Sequence, residues 1–300
     1  MVAVLVLAAC VDLSEAGNAA TAADPKADAD AARRASELEP APRIQPRDRA
    51  RAATLAKEGR TKLARKPQSD LAGAARALRE SARLGDPDAQ LLLAQNQTLR
   101  PEGESDDAAA VAWLTRAAVR GNAAAQLELA MDYASGRRIR REPSWADMWF
   151  ERAARQGNRE AMLTLGRRRA AGEGRDVDEL EAYRWLAIAV RAGVKDAERE
   201  RAAAAKLLAP DERAGIDAEI AAWRPVATEP SPDMALIRFV QAELVANGYD
   251  AGPADGRLGA RTARALAAYQ RVQGERDPGE EITAATVMAL RNTAAARPTP

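Results

Sequence analysis

The sequence predicts an all-α protein, in which a solenoid of stacked helical hairpins precedes a small three-helix module. A glycine returns every 36 residues through the middle of the chain, at Gly85, Gly121, Gly157 and Gly193. Only 4% of the residues are aromatic, and no β-branched run reaches the length of a strand. After residue 233 the 36-residue period stops and a second pattern begins. A fixed period of roughly 20–50 residues is typical of proteins that repeat one supersecondary unit.

The amino terminus is apolar over residues 1–10 and ends in Leu7-Ala8-Ala9-Cys10. It resembles the end of a bacterial lipoprotein signal peptide, and this resemblance implies a signal remnant with a lipid on Cys10. None of the residues before Cys10 is basic, unlike a usual signal, so a chance cysteine behind an apolar stretch is the alternative. Residues 11–46 are rich in Ala, Asp, Glu and Pro, a composition that predicts a disordered linker.

One repeat unit shows how residues 47–224 fold. Its first helix has apolar residues at i, i+3, i+4, i+7 and i+8, which are Ala110, Trp113, Leu114, Ala117 and Ala118. Gly121 ends this helix, and a second helix has apolar residues four apart, at Ala125, Leu129 and Tyr133. Because one hairpin cannot bury its apolar face alone, stacked copies are needed to make a continuous core.

The same reading places each helix of the array. A helix from Pro46 to Lys66 is expected to dock on the first hairpin, and one from Pro210 to Trp223 is expected to close the stack. Between them we expect helices near residues 70–84, 87–97, 106–120, 123–134, 143–156, 159–171, 178–192 and 195–206.

The array resembles the Sel-one-like repeat, a relative of the tetratricopeptide repeat. The matching residues of the best unit are Ala110, Trp113, Ala117, Ala118, Gly121, Ala125, Leu129, Tyr133 and Gly136. The next unit matches at Gly172, Gly174, Asp178, Ala182 and Trp185. The first copy has Ala77 where the tryptophan is expected, and the third copy has Arg169 where the tyrosine is expected. The resemblance implies an α-α superhelix that binds a protein partner.

The tryptophans and arginine clusters of the array are candidate binding groups. Trp113, Trp149 and Trp185 share the phase of the apolar stripe, so we expect them in the core. Trp145 lies off that phase and is the better candidate for an exposed binding residue. The arginine clusters in 137–141 and 167–169 are expected to form either a basic strip for an acidic partner or an ordinary solvated face.

The C-terminal module spans residues 234–292, between a Pro-rich linker at 225–233 and a tail at 293–300. Its pattern resembles the three-helix peptidoglycan-binding domain. The matching residues are Val240, Gln241, Leu244, Gly248, Tyr249, Gly252, Asp255, Gly256, Gly259, Thr262, Ala265, Leu266, Tyr269, Gln270, Gly274, Asp277 and Thr286. Leu258 replaces the usual Phe, and Pro278 splits the last Asp-Gly pair.

The resemblance implies a ligand surface beside the Asp-Gly loop of the module. The candidate peptidoglycan-binding residues are Tyr249, Asp255, Arg257, Tyr269 and Gln270. Aromatic faces pack on sugar rings, and an arginine can pair with a carboxylate of the stem peptide. The other matching residues are expected to be structural, with Thr262 bracing the second helix.

The amino-acid composition argues against the common types of catalytic and metal site. The chain has no histidine and a single cysteine, so a zinc site with histidine ligands and a Cys–His pair are both excluded. We therefore expect no catalytic residue, no metal and no cofactor, and we do not expect an enzyme. The net charge of +1 gives no electrostatic case for nucleic acid.

Together these features predict a non-catalytic scaffold of the bacterial cell envelope, which binds peptidoglycan through its module and an unidentified protein through its array. Its only membrane contact is expected to be a lipid anchor, on the periplasmic side and at the outer membrane, because Val11 and not Asp follows Cys10. Two alternatives stay open. One is an accessory or regulatory subunit of a peptidoglycan-remodelling enzyme, and the other is a cytosolic repeat scaffold whose terminal module does not bind the wall.

Overall fold

The computed structural model describes residues 37, 44–64, 70–103, 107–173, 176–226, 234–275, 278–279 and 281–297. These residues form α-helices, turns and one short 3-10 segment at Gln97–Leu99, with no strand in the described ranges. The all-α prediction is therefore confirmed. The helices are α1 Pro46–Ala64, α2 Leu71–Arg83, α3 Pro87–Gln95, α4 Asp107–Val119, α5 Ala123–Ser135, α6 Pro143–Arg155, α7 Arg159–Ala171, α8 Glu179–Arg191, α9 Ala197–Ala204, α10 Pro210–Ala222, α11 Met234–Ala246, α12 Ala260–Val272 and α13 Ala284–Ala296.

Helices α1 to α9 form a stack in which each helix packs against the next one. Helix α1 docks on α2, and α10 packs on α8, at the two ends of the stack. Helices α2 to α10 begin and end within two residues of the predicted bounds. The agreement follows from the strength of the local signals, since helix ends carry residues with a specific backbone or capping role.

The 36-residue glycine sits at the turn inside each hairpin. Gly121 has φ +86°, a backbone conformation that side chains with a Cβ avoid. Asn122 follows it and caps α5, because its side chain accepts a hydrogen bond from the backbone N–H of Ala125 at 2.8 Å. The other hairpins repeat the positive φ at Gly85, Gly157 and Gly193.

The core of the array contains the three in-phase tryptophans. The exposed fractions of Trp113, Trp149 and Trp185 are 6%, 0% and 3%, so the prediction that they are core residues is confirmed. Trp145 is also buried, at 1%, and the prediction of an exposed binding residue was wrong. The reason lies in the C-terminal module, because Phe239 covers the Trp145 ring edge-on with 4.9 Å between ring centroids.

Three of the seven arginines in the two clusters do not belong to an exposed basic strip, whereas the other four are exposed, at Arg137, Arg140, Arg141 and Arg167. Arg138, Arg168 and Arg169 point into the array, where two buried carboxylates pair with them. Asp132 accepts from Arg138 Nε at 2.7 Å, and Asp147 accepts from Arg168 Nε at 2.7 Å and from Arg169 Nη1. Both earlier alternatives therefore fail for these arginines, because their charges are neutralised inside the stack.

The C-terminal module consists of α11, α12 and α13, and it packs against the array through α11 on α6. Helix α13 continues to Ala296, four residues beyond the predicted end of the domain at 292. The contact with α6 places the module beside the middle of the stack. Its position matters for the site, because the loop after α11 faces both solvent and the array.

Candidate functional site

The loop between α11 and α12 is held by one buried amide, Gln241. Its Nε2 donates to Asp255 Oδ1 at 3.0 Å and to the carbonyl of Arg257 at 3.1 Å. Its Oε1 accepts from the backbone N–H of Gly256 at 2.9 Å. Thr262 braces the other side of the loop, since its hydroxyl donates to the carbonyl of Ala251 at 2.9 Å. Gln241 and Thr262 are both buried, so they hold the loop from the protein interior and are not part of its exposed surface.

Asp255 and Arg257 lie on the exposed side of this loop. Burial raises the pKa of Asp255, but the hydrogen bonds from Gln241 and from the backbone N–H of Arg257 outweigh it, so the pKa lies below its ordinary value. The carboxylate therefore stays ionised at neutral pH and keeps the turn closed. The backbone of Arg257 is engaged in that turn, and its side chain is exposed.

Tyr249 is half-buried at the start of the same loop, whereas Tyr269 lies under it. The two rings meet edge to face, with 5.5 Å between centroids and an angle of 81°. Tyr269 is 2% exposed, and burial raises the pKa of its hydroxyl. Tyr269 is therefore a support for Tyr249 and not a surface residue.

Gln270 is fully buried and repeats the role of Gln241 at the next loop. Its Nε2 donates to the carbonyl of Glu281 and to Thr286 Oγ1, both at 3.0 Å, and its Oε1 accepts from the N–H of Gly279 at 2.8 Å. The structure thus divides the five predicted residues. Asp255 and Arg257 are exposed and Tyr249 is partly exposed, while Tyr269 and Gln270 are buried and their side chains are not available to a surface ligand.

A cleft of about 770 Å³ opens between the module and the array. Residues 252–254 and the end of α11 form one wall, and the start of α8 forms the other. Val177, Leu180 and Val245 expose apolar side chains into or beside it. Ligand sites typically enclose roughly 300–1,000 Å³, so the cleft has room for part of a ligand next to the loop.

Charged side chains of the module are paired with the array across their interface. Arg238 Nη1 lies 3.3 Å from Glu181 Oε2 and 3.5 Å from Glu151 Oε1, and the charge of Glu151 raises the pKa of Arg238 above its ordinary value. Arg291 Nη2 lies 2.7 Å from Glu142 Oε2. Neither arginine was predicted from the sequence as a site residue, although Arg291 follows Val287 and Leu290 on one apolar face of α13. A cation on such a face is a signal for a buried partner.

Two predictions about the membrane and metals concern other parts of the chain. Cys10 lies outside the described residues. Within the described ranges, no helix is both long and apolar enough to cross a membrane, and no cluster of three or more potential metal-ligating side chains is present.

Comparison with known proteins finds similarity for both parts of the chain. Residues 233–276 match the family described as a putative peptidoglycan binding domain. No curated protein matches the chain. The chain is similar to the crystal structure of a Sel1 repeat protein from Oxalobacter formigenes, with 33% identity, 42% of this chain and 95% of that chain covered, and a TM-score of 0.39.

A second similar structure is c5321, a protective antigen of uropathogenic Escherichia coli strains with an SLR fold. The identity is 22% and the TM-score is 0.48. The match covers 58% of this chain but only 38% of that chain, so this protein spans less than half of that relative. The two resemblances predicted from the sequence, to Sel-one-like repeats and to a peptidoglycan-binding domain, are confirmed by the family match and by the Oxalobacter relative.

Proposed function

We propose that this chain is a non-catalytic envelope scaffold that binds peptidoglycan. The reason is that the array belongs to the Sel1-type repeat proteins and the module matches the peptidoglycan-binding family. The observation that carries the proposal is the family match over residues 233–276, which includes the whole loop held by Gln241. The array is proposed to hold a protein partner, which fits the use of repeat stacks as extended binding surfaces.

The proposed ligand surface consists of Tyr249, Asp255 and Arg257. The half-exposed ring of Tyr249 is suited to pack on a sugar ring, and Tyr269 supports it from below. The guanidinium of Arg257 is suited to pair with a carboxylate of the stem peptide. Asp255 acts through the backbone, because it fixes the turn that places Arg257. The neighbouring cleft gives the polymer a place to continue along the protein.

The absence of histidine from the chain favours a non-catalytic role. A carboxylate-only glycosidase needs two carboxyl groups flanking a substrate groove. The proposed binding loop supplies two carboxylates, but hydrogen bonds commit Asp255 to the turn and Asp250 is paired with Arg261. An accessory or regulatory subunit of a peptidoglycan-remodelling enzyme is the second candidate, and it is favoured by the array, which offers a surface for such an enzyme beside the wall-binding module.

The proposed location is the periplasmic side of the bacterial cell envelope, with Cys10 as a lipid anchor at the outer membrane. The cell-wall ligand of the module supports the envelope, and the sequence around Cys10 supports the anchor. An anchored protein that grips a polymer gains from repeated contacts, so we expect the single-site affinity to be weak and the avidity on intact wall to be high.

A pelleting assay with purified sacculi tests the wall-binding proposal. The full chain is expected to co-sediment, and the double variant Tyr249→Ala with Arg257→Ala is expected to lose at least about four-fifths of the bound fraction. Arg271→Ala is the matched control, because it removes an exposed arginine at the end of α12, outside the loop. Circular dichroism checks that each variant is folded.

Two outcomes decide the proposal. A folded full chain that stays in solution at every sacculus concentration contradicts peptidoglycan binding. Equal loss of binding in the Arg271→Ala control and in the double variant contradicts the assignment of the surface, because it points to unspecific attraction by positive charge. Incubation with sacculi is also expected to release no soluble muropeptides, and their release would contradict the non-catalytic role.

A further inference from the structure

One carboxylate from the N-terminal part of the chain lies deep in the interface between array and module. Glu37 has a fully buried side chain. Its Oε2 accepts hydrogen bonds from Trp145 Nε1 at 2.6 Å and from Trp149 Nε1 at 3.2 Å, and its Oε1 accepts one from the hydroxyl of Tyr133. These donors come from α5 and α6, about 100 positions further along the chain.

The module supplies the positive charge of this cluster. Arg291 Nη1 lies 3.8 Å from Glu37 Oε2, and Arg291 Nη2 donates to the hydroxyl of Tyr133 at 3.2 Å. The guanidinium also lies over the Trp145 ring, 4.1 Å from its centroid. Burial lowers the pKa of Arg291, but Tyr133, Glu37 and Glu142 raise it more, so the cation persists. Three separate parts of the chain therefore meet at one carboxylate.

The side chains around Glu37 are arranged as a binding site for a carboxylate. An indole N–H can only donate, and a buried one needs an acceptor, so Trp145 and Trp149 both require an acceptor oxygen at this place, which Glu37 supplies. Their rings cannot turn away, because they pack edge to face against each other and Trp145 also packs against Phe239. A buried carboxylate is tolerated only when charge and hydrogen bonds replace its water, and this pocket supplies both.

We propose that Tyr133, Trp145, Trp149 and Arg291 form a carboxylate-binding site for a glutamate-bearing peptide segment, and that Glu37 occupies the site in cis. Glu37 is thus an internal ligand that contacts both the array, through Tyr133, Trp145 and Trp149, and the module, through Arg291. The site is separate from the loop proposed to bind peptidoglycan, and it stands whether or not that proposal holds. A peptide in trans binds there only after Glu37 has left.

A charge reversal opens the site in the full chain. Glu37→Arg places a second cation next to Arg291, so the internal segment is expelled by repulsion. The probe is a fluorescein-labelled peptide with the sequence of residues 31–43, and its affinity is measured by fluorescence anisotropy. We expect this peptide to bind Glu37→Arg at least tenfold more tightly than the wild-type chain, in which the internal segment competes.

Two matched peptides test which carboxylate is recognised. The peptide with Glu37→Gln is expected to bind the Glu37→Arg chain at least tenfold more weakly, because an amide brings no charge to Arg291. The peptide with Glu39→Gln, which loses a carboxylate two residues away, is expected to bind like the unchanged peptide. Binding is also expected to change the tryptophan emission of the chain, since Trp145 and Trp149 line the site.

The following results overturn the proposal. The first is equal affinity of the unchanged peptide for the wild-type and Glu37→Arg chains, and the second is equal affinity of the Glu37→Gln and unchanged peptides. The third is the absence of binding to a folded Glu37→Arg chain. If circular dichroism shows that Glu37→Arg is unfolded, the full-length Glu37→Gln variant replaces it. It must then bind the unchanged peptide more tightly than the wild-type chain does, and equal binding overturns the proposal.

Discussion

The buried pair of Asp147 and Arg169 allows a quantitative test of how the array tolerates charge. Both side chains are at most 1% exposed, and Asp147 accepts hydrogen bonds from Arg169 and Arg168. One repeat earlier, Val111 and Tyr133 occupy the equivalent positions, 36 residues before each. The array therefore fills equivalent positions either with an ion pair or with an uncharged pair, whose tyrosine hydroxyl bonds to Glu37 and Arg291.

We expect Asp147→Val to cost about 3–5 kcal/mol of the free energy of unfolding, because it leaves Arg169 buried without its hydrogen-bonded carboxylate. Arg168 loses less, since it also donates to Glu173 at 2.6 Å and to the carbonyl of Pro143 at 3.2 Å. Adding Arg169→Tyr restores the residue pair of the preceding repeat. The double variant is expected to recover at least half of the loss, as buried ion pairs are often replaced by well-packed residues at little cost.

Urea unfolding followed by far-ultraviolet circular dichroism measures both steps. For a unit of this size, a loss of 3–5 kcal/mol corresponds to a fall of roughly 6–20 °C in melting temperature, which a thermal scan checks independently. A single Asp147→Val variant that loses less than about 1 kcal/mol would refute the reasoning, because the buried charge would then need no partner. A double variant no more stable than the single one would show that the cost arises from the shape of the site and not from the unpaired charge.

Three further predictions concern the core, the binding loop and the anchor. Trp149→Ala is expected to cost about 3–5 kcal/mol, as other large-to-small core changes do, whereas the half-buried Trp223→Ala costs clearly less; equal melting temperatures for the two variants would contradict the assignment of Trp149 to the core. The depressed pKa of Asp255 means that its contribution to stability is fully present above the ordinary value near 3.8 and is lost as the pH falls through the lower folded value. Carbon-detected NMR titration should therefore give an Asp255 midpoint below 3.8, and a midpoint above it would mean that the turn is not closed by the carboxylate. A palmitate analogue fed to expressing cells is expected to label the wild-type chain and not Cys10→Ala, and equal labelling of both would exclude lipidation at Cys10.

The hairpins of the array were predictable from sequence because their determinants are local. A turn with positive φ requires glycine at Gly121, the next residue caps the following helix, and an apolar stripe recurs at helical spacing. Each of these signals lies within one unit of 36 residues. The same applies to the module, where the Asp-Gly turn and the spacing of its apolar residues identify three helices.

Only the tertiary structure decided which residues outside the apolar stripes are also buried. Trp145 lies off the apolar phase of α6, and it is buried because Phe239, 94 positions further along the chain, packs on it. Tyr269 and Gln270 match the ligand-binding family as well as Tyr249 does, and only the packed module shows that the first two support loops from inside.

The pairing of charged side chains was the least predictable feature, because it also depends on residues that are far apart in the sequence. A run of arginines is equally compatible with a solvated face and with buried pairs, since the energy of a charge depends on partners that helical periodicity does not reveal. Asp147 is 21 and 22 residues from Arg168 and Arg169, and Glu37 is 254 residues from Arg291. The sequence by itself thus determined the repeat, the turns and the two families, while the folded chain determined which carboxylate meets which cation, because only folding brings distant groups out of water together.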